Sequence, residues 1–280
     1  MRTQQPRDLG WSVVVGLFVS LLIWRSGPLG AAIGSVLRER GHTVLWASSG
    51  RSAATARRAG GGGLLDVRRA AELVARSEVL VSVCPPHAAA EVADSVAGYA
   101  GVYLDANAIS PASSRAIATV IENGGGRYVD GGIVGPPPRS RGTTRIYLSG
   151  ARAAFAADLF DGSAVEPVVV SEHVGQASGV KMAYAAWTKG TAALLLAIRE
   201  LARIEGVEPA LLGEWRLSLP DLEEASDRAV GAASRKGWRW VAEMEEIAAT
   251  FAAADLPEGF HRAAAEVFRR AENDRPTTHR

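Results

Sequence analysis

"LLIWRSGPLGAAIG", residues 21–34, decides how the chain folds. An apolar run ends there in a cluster of glycines and small residues. Two structures produce such a junction. One is the phosphate-binding turn between the first strand and first helix of a dinucleotide-binding fold. The other is the tail of a membrane-directed segment, because the apolar run reaches back to Trp11 and is preceded by Arg2 and Arg7. The run is shorter than the roughly 20 residues a spanning helix needs. Arg25, Ser26 and Gly27 follow it where a signal peptide would carry an Ala-x-Ala cleavage site. Its valines favour a strand.

The pattern downstream chooses between them. Residues 28–40 read as a helix, with Pro28 in the first turn and Gly41 just past the end. Residues 43–47 read as a strand, 52–59 as a helix before a four-glycine loop, and 70–76 as a helix. A strand follows at 79–83, a helix at 87–96, a strand at 102–105, a helix at 111–122 and a strand at 127–130. Two more strands, 143–149 and 165–170, flank a further helix. Strands that alternate with helices and are apolar on both faces make a parallel sheet wrapped by helices. That sheet needs a first strand ahead of Pro28. Residues 13–17 and 19–24 both qualify, and the second, which abuts the glycines, is the choice.

From about Gly175 the character changes. Residues 180–204 form one apolar-rich helical pattern, about 40 Å long at 1.5 Å per residue. Helices are expected beyond it at 208–217, 222–234, 238–254 and 260–271. The expected architecture is an α/β Rossmann-like N-terminal domain (doubly wound, mostly parallel sheet, residues 11–174). A long interdomain helix then opens an all-α C-terminal domain at residues 175–272.

Composition narrows the function. In 280 residues, 31 basic groups nearly balance 30 acidic ones, which gives no field for nucleic acid or an anionic membrane. The single cysteine, Cys84, excludes an internal disulfide and a thiolate metal cluster. A reducing, cytoplasmic setting is expected, with a small-molecule substrate, no metal, and neither a nucleic-acid nor a membrane partner.

Candidate chemistry starts at the turn. In the Gly-x-Gly-x-x-Gly frame the second and third glycines fall on Gly27 and Gly30, and Arg25 replaces the first. Ser26, Gly27, Pro28, Leu29 and Gly30 are therefore expected at the cofactor. The second strand ends in Ala47-Ser48-Ser49-Gly50-Arg51 without a carboxylate. Ser48, Ser49 and Arg51 suit a ribose 2′-phosphate, which favours NADPH (NADP) over NAD. Two other strand ends face the same crevice: Cys84-Pro85-Pro86, a stiff wall, and Asn107, a donor and acceptor for nicotinamide or substrate. "VDGGIVGPPP", residues 129–138, reads as a glycine-rich loop, with Gly131, Gly132 and Ile133 at a substrate carboxylate. In "GQASGVKMAYAAWTKG", residues 175–190, small residues open the long helix. They place Lys181 in an apolar neighbourhood where desolvation would make its amine a usable acid or base. Tyr184, Ala185 and Thr188 are read as sharing its face.

Several stretches together resemble the β-hydroxyacid dehydrogenase superfamily, which includes 3-hydroxyisobutyrate and 6-phosphogluconate dehydrogenases and the imine reductases. They are "GHTVLWASSGRSAATA", "SVCPPHAA", "DANAISP", "VDGGIVGPPPR", "KMAYAAWTKG" and "EMEEIAATF". The likeness is strongest to the branch with a DUF1932-type C-terminal domain. It implies that Lys181 is the catalytic lysine of a hydride transfer to or from nicotinamide, and that Asn107 sits beside cofactor and substrate. Two departures stand out. Members acting on hydroxy acids carry an asparagine four residues after the lysine, where this chain has Ala185. The loop serine that contacts the substrate carboxylate is Val134. A larger or less polar substrate walled by Tyr184, Trp187 and Trp238 is expected. The alternatives are an imine-reducing relative, a non-catalytic NADP-binding scaffold, and a protein anchored through residues 11–24. The apolar long helix implies a homodimer whose helical domains pack together.

Overall fold

The computed structural model describes residues 18–22 and 28–273. The turn residues Arg25, Ser26 and Gly27 lie outside that range, so the cofactor expectations placed on Ser26 and Gly27 do too.

Eight strands form one sheet. They are β1 (Phe18–Leu22), β2 (Thr43–Trp46), β3 (Leu65–Asp66), β4 (Val79–Ser82), β5 (Val102–Asp105), β6 (Arg127–Val134), β7 (Thr144–Ser149) and β8 (Val165–Ser171). The order is β3-β2-β1-β4-β5-β6-β7-β8. The first six run parallel, β7 pairs antiparallel with β6, and β8 lies parallel to β7. The chain reverses its winding direction between β1 and β4, and in open α/β sheets ligands bind beyond the carboxyl ends of the strands at that switch point. The stretch that could have been a membrane segment thus contributes β1 to the middle of the sheet. No helix among the described residues is long and apolar enough to cross a membrane.

The sheet helices are α1 (Pro28–Glu39), α2 (Ala53–Gly61), α3 (Ala70–Arg76), α4 (Ala89–Asp94), α5 (Pro111–Asn123) and α6 (Ala153–Asp158). They cover both faces. In β4, Val79 and Val81 pack into one apolar layer with Ile33 and Leu37 of α1, while Leu80 packs into the other with Val92 of α4 and Ile117 of α5. Local chemistry sets the ends. Ser52 caps α2 by accepting from the Thr55 amide at 3.3 Å, and Ser110 caps α5 by accepting from Ser113 at 3.1 Å.

The remaining helices are α7 (Gln176–Ile204), α8 (Glu208–Ser218), α9 (Leu222–Ala252) and α10 (Gly259–Asn273). Their core gathers Met182, Leu195, Trp215, Met244, Ile247 and Phe268. A clasp joins this layer to the sheet: Glu246 of α9 accepts from the Ser110 amide at 2.6 Å and the Ser113 hydroxyl at 3.1 Å.

Three expectations need correction. The helices expected at 222–234 and 238–254 are one helix, α9, which passes through Gly237. That glycine is buried against Phe268 of α10, and tertiary packing outweighs its cost of about 1 kcal/mol in a helix interior. The four-glycine loop is partly helical, since Gly60 and Gly61 close α2, and the two-residue strand β3 follows it. Finally, "VDGGIV" is strand rather than loop. The glycines are needed there because neighbours come too close for a side chain. A Cβ on Gly131 would lie 2.8 Å from the Asp105 carbonyl oxygen. One on Gly132 would lie 2.8 Å from the Ala177 carbonyl oxygen and 2.9 Å from Lys181 Cβ.

Candidate active site

Strand β6 and helix α7 are locked together by a buried carboxylate. Asp130 Oδ2 accepts from the amides of Gly175 at 3.0 Å and Ser178 at 2.9 Å and from the Ser149 hydroxyl at 2.9 Å. Its Oδ1 accepts from the Ser178 hydroxyl at 2.6 Å. These bonds satisfy first-turn amides of α7 and put a negative charge at the positive end of its dipole. Gly175 enters the helix at φ 98°, a left-handed conformation that glycine adopts without strain. Gly132 allows close contact with Ala177 and Lys181 at the next turn, so α7 packs directly against β6. Lys181 is thereby fixed on the side facing the strand ends.

Lys181 lines a cavity of about 260 Å³ with Leu29 and Gly30 of α1, Val83 to His87 after β4, Ala106 to Ala108 after β5, Ile133, and Trp238, Arg239, Ala242 and Glu243 of α9. The strand-end wall and the helical wall therefore face each other across one space. Burial pushes the Lys181 ammonium down to about 8. The nearby charge of Lys189 acts in the same direction, and Glu243 opposes both. Lys189, two turns further along α7, is ion-paired to Glu243. Burial works to raise the Glu243 carboxyl, but Lys189 and then Lys181 outweigh it and hold it below its ordinary value.

Asn107 is 3% exposed, and its amide is committed at both ends. Oδ1 accepts from the Cys84 amide at 2.5 Å and Nδ2 donates to Ser82 Oγ at 3.0 Å. Its own N–H donates to Asp105 Oδ1 at 3.1 Å. The side chain clamps the ends of β4 and β5 in place. That is a positioning role at the cavity wall, distinct from the free donor and acceptor expected from sequence. Burial, with the charge of Asp130 adding to it, raises the Asp105 carboxyl to about 7, against the Asn107 amide. Burial and then Asp105 push the Cys84 thiol up to about 12, which makes it an inert wall group.

A second depression lies beyond β2, lined by Ala47, Ser49, Gly50, Arg51, Arg69, Ala70, His87, Ala88 and Glu91. It shares His87 with the cavity, so the two lie on either side of that residue. Ser49 and Arg51 line it, and Arg69 adds a second guanidinium that sequence reasoning missed. Ser48 does not line it, and its backbone amide donates to Asp66 Oδ1 at 3.2 Å. Pro28 lies at the exposed start of α1 and is not on the cavity wall.

The expected substrate walls divide. Trp238 and Ile133 line the cavity. Tyr184 and Trp187, 49% and 72% exposed, do not. At 100° per residue Tyr184 is turned some 60° and Trp187 some 120° away from Lys181, enough to clear the cavity. Gly131 and Gly132 face neighbouring backbone and do not line it either. Sequence reasoning missed Glu243 and Lys189. Glu243 falls one turn before Glu246 on α9, but nothing local in "AEMEEIAAT" says which acid faces the lysine.

Comparison with known proteins agrees with this fold. Residues 202–271 match the family described as a domain of unknown function, DUF1932. The chain is 26% identical to the conserved protein MTH1747 of unknown function, whose structure is described as similar to 3-hydroxyacid dehydrogenases. That match has a TM-score of 0.66 and covers 92% of this chain and 97% of the other. The chain thus carries a DUF1932 match at its C-terminal end on a fold shared with 3-hydroxyacid dehydrogenases. The resemblance read from the sequence is borne out, including the DUF1932 branch. An uncharacterized 28.5 kDa protein of Methanothermus fervidus, encoded in a 7S RNA 5′ region, is 28% identical over 181 residues, 63% of this chain and 70% of the other. A reductive aminase from Aspergillus terreus, solved with NADPH and ethyl-5-oxohexanoate, shares the fold at 19% identity and a TM-score of 0.58. It covers 95% of this chain and 96% of its own.

Proposed function

We propose that this protein is an NADPH-dependent oxidoreductase that interconverts a hydroxy acid and its carbonyl form, with Lys181 as general acid and base. The observation that carries the reading is that one partly desolvated lysine amine and the strand ends of a doubly wound sheet line the same cavity. The residues present fit the cofactor. Leu29 and Gly30 stand at the start of α1, whose dipole favours a phosphate, and Pro85 and Pro86 give a stiff apolar wall. Arg51 and Arg69 supply two guanidinium groups where a 2′-phosphate would need them. When bound, nicotinamide supplies or accepts the hydride. In reduction, the Lys181 ammonium donates its proton to the carbonyl oxygen as that oxygen becomes a hydroxyl. In oxidation, the neutral amine takes the proton back. Asn107 keeps the β4 and β5 ends in register with that exchange.

A second substrate class, an imine, is supported by the fold shared with the reductive aminase. A homodimer is part of the proposal. Exposed Tyr184, Trp187, Leu194 and Leu201 make a stripe along α7, the last three at seven-residue spacing, suited to the same helix of a second copy. The lone Cys84 supports a cytoplasmic setting.

The test is turnover by the purified protein with NADPH across hydroxy acids, ketones and imines, beside Lys181→Met. Oxidoreductase activity lost in the variant, with NADPH binding retained, is expected. Tight NADPH binding without turnover on any substrate would instead make the protein a nucleotide-binding scaffold. Full turnover by the variant would remove Lys181 from the chemistry.

A further inference from the structure

Of the 31 basic residues in the chain only Lys181, Lys189 and Lys236 are lysines. Arginine serves the ion pairs elsewhere on the helices, such as Arg199 with Glu208 and Arg216 with Glu223. Arginine does not lose its proton, whereas a lysine amine responds to its surroundings. Two of the three lysines meet one carboxylate at the cavity: Glu243 lines it beside Lys181, and Lys189 is ion-paired to Glu243. The pair is sheltered, with side-chain exposures of 13% for Lys189 and 18% for Glu243.

A carboxylate next to a general acid–base lysine is a hazard. Left alone it would form an ion pair with Lys181, fix the ammonium form and raise the proton affinity of the amine above the range useful near neutrality. We propose that Lys189 is a positioning residue of the site: by engaging Glu243 it prevents that carboxylate from capturing Lys181, and leaves the Lys181 amine free to exchange its proton with the occupant of the cavity. The Glu246 clasp to α5, one turn away on α9, fixes the height at which Glu243 is presented. The charged and titratable groups around Lys181 are Lys189 on its own helix, Glu243 and Arg239 on α9, and Cys84 and His87 beyond β4. Strand β6 presents only Gly132 and Ile133 there. Both charges of the pair act on Lys181: removing Lys189 deletes a repelling charge and frees an attracting one.

The inference deepens the role proposed for Lys181, and its test does not depend on turnover. Competitive acetylation of the full chain with acetic anhydride, read by mass spectrometry at Lys181 across roughly pH 6 to 11, gives the proton affinity of that one amine. Lys189→Met should raise it by about 1 unit or more, Lys189→Arg should leave it at the wild-type value, and Glu243→Gln should lower it. A merely structural ion pair would cost melting temperature in Lys189→Met and Glu243→Gln without these opposed shifts. An unmoved or lowered Lys181 in Lys189→Met, or an unmoved or raised one in Glu243→Gln, would overturn the proposal. If Lys189→Met fails to fold, Glu243→Gln decides by the same criterion. Opposed shifts in a protein that turns over no substrate would leave this inference standing and sink the proposed reaction. Turnover with unmoved titrations would do the reverse.

Discussion

The two walls of the cleft are built on different principles. On the sheet side the groups are backbone and small side chains at the ends of β4 and β5, held by strand register and by the Asn107 clamp. On the helix side they include long side chains, Lys181 of α7 and Glu243 of α9, the second held by its ion pair with Lys189. A wall fixed by register resists single changes and suits a cofactor with a constant shape. A wall fixed by ion pairs can be retuned by one substitution, and suits the part of the site where proton affinity matters.

Damage to the helix side should therefore cost chemistry, and damage to the sheet side should cost binding or folding. The largest effect expected is on chemistry. Lys181→Met should lower turnover by about 10²–10⁴-fold, the usual contribution of a general acid or base, while NADPH binding measured by fluorescence titration stays within about twofold. Equal losses of both would erase the distinction between the walls. The joint between them comes next. Asp130→Ala strips the acceptor from two amides and two hydroxyls. A loss of about 3 kcal/mol or more in urea unfolding is expected, and a change under 1 kcal/mol would show that α7 is anchored in some other way. On the sheet side, Arg51→Ala combined with Arg69→Ala should weaken NADPH about tenfold or more, roughly 1.4 kcal/mol, and leave NADH unchanged. Equal weakening of both cofactors would remove the 2′-phosphate assignment. The smallest effect is at Cys84. Its thiol, raised to about 12, should react with iodoacetamide at pH 8 far more slowly than a free thiol, whose ordinary value is nearer 9.

The same contrast explains what the sequence reveals. Strands β4 and β5 and helices α3 and α5 are legible to within a residue, because runs such as "VLVS" and "VYLD" are apolar on both faces and end in prolines or serines that cap the next helix. Cys84, Pro85, Pro86 and Asn107 then follow at strand ends, wherever the sheet places them. Glycine misleads where its reason is tertiary. Gly131 and Gly132 look like a ligand loop until α7 and β5 are packed against them, and Gly237 looks like a helix break until Phe268 covers it. Lys181 is legible because small residues announce the start of its helix. Lys189 and Glu243 are not, since their meeting depends on the packing of α7 against α9 and the two residues lie 54 positions apart in the chain. Tyr184 and Trp187 fail for the same reason, as a spacing of three or six does not say which side of α7 faces the cleft.

The most direct measurement of the central claim is the pH dependence of carbonyl reduction by wild-type protein and by Lys181→Met. A lysine that donates the proton must be charged, so the wild-type rate should be constant at low pH and fall as pH rises through about 8; in oxidation the neutral amine is the active form, so the rate should rise through the same value. The variant should lose that limb in both directions. A limb near 8 that survives in Lys181→Met would assign the proton transfer to another group and contradict the account.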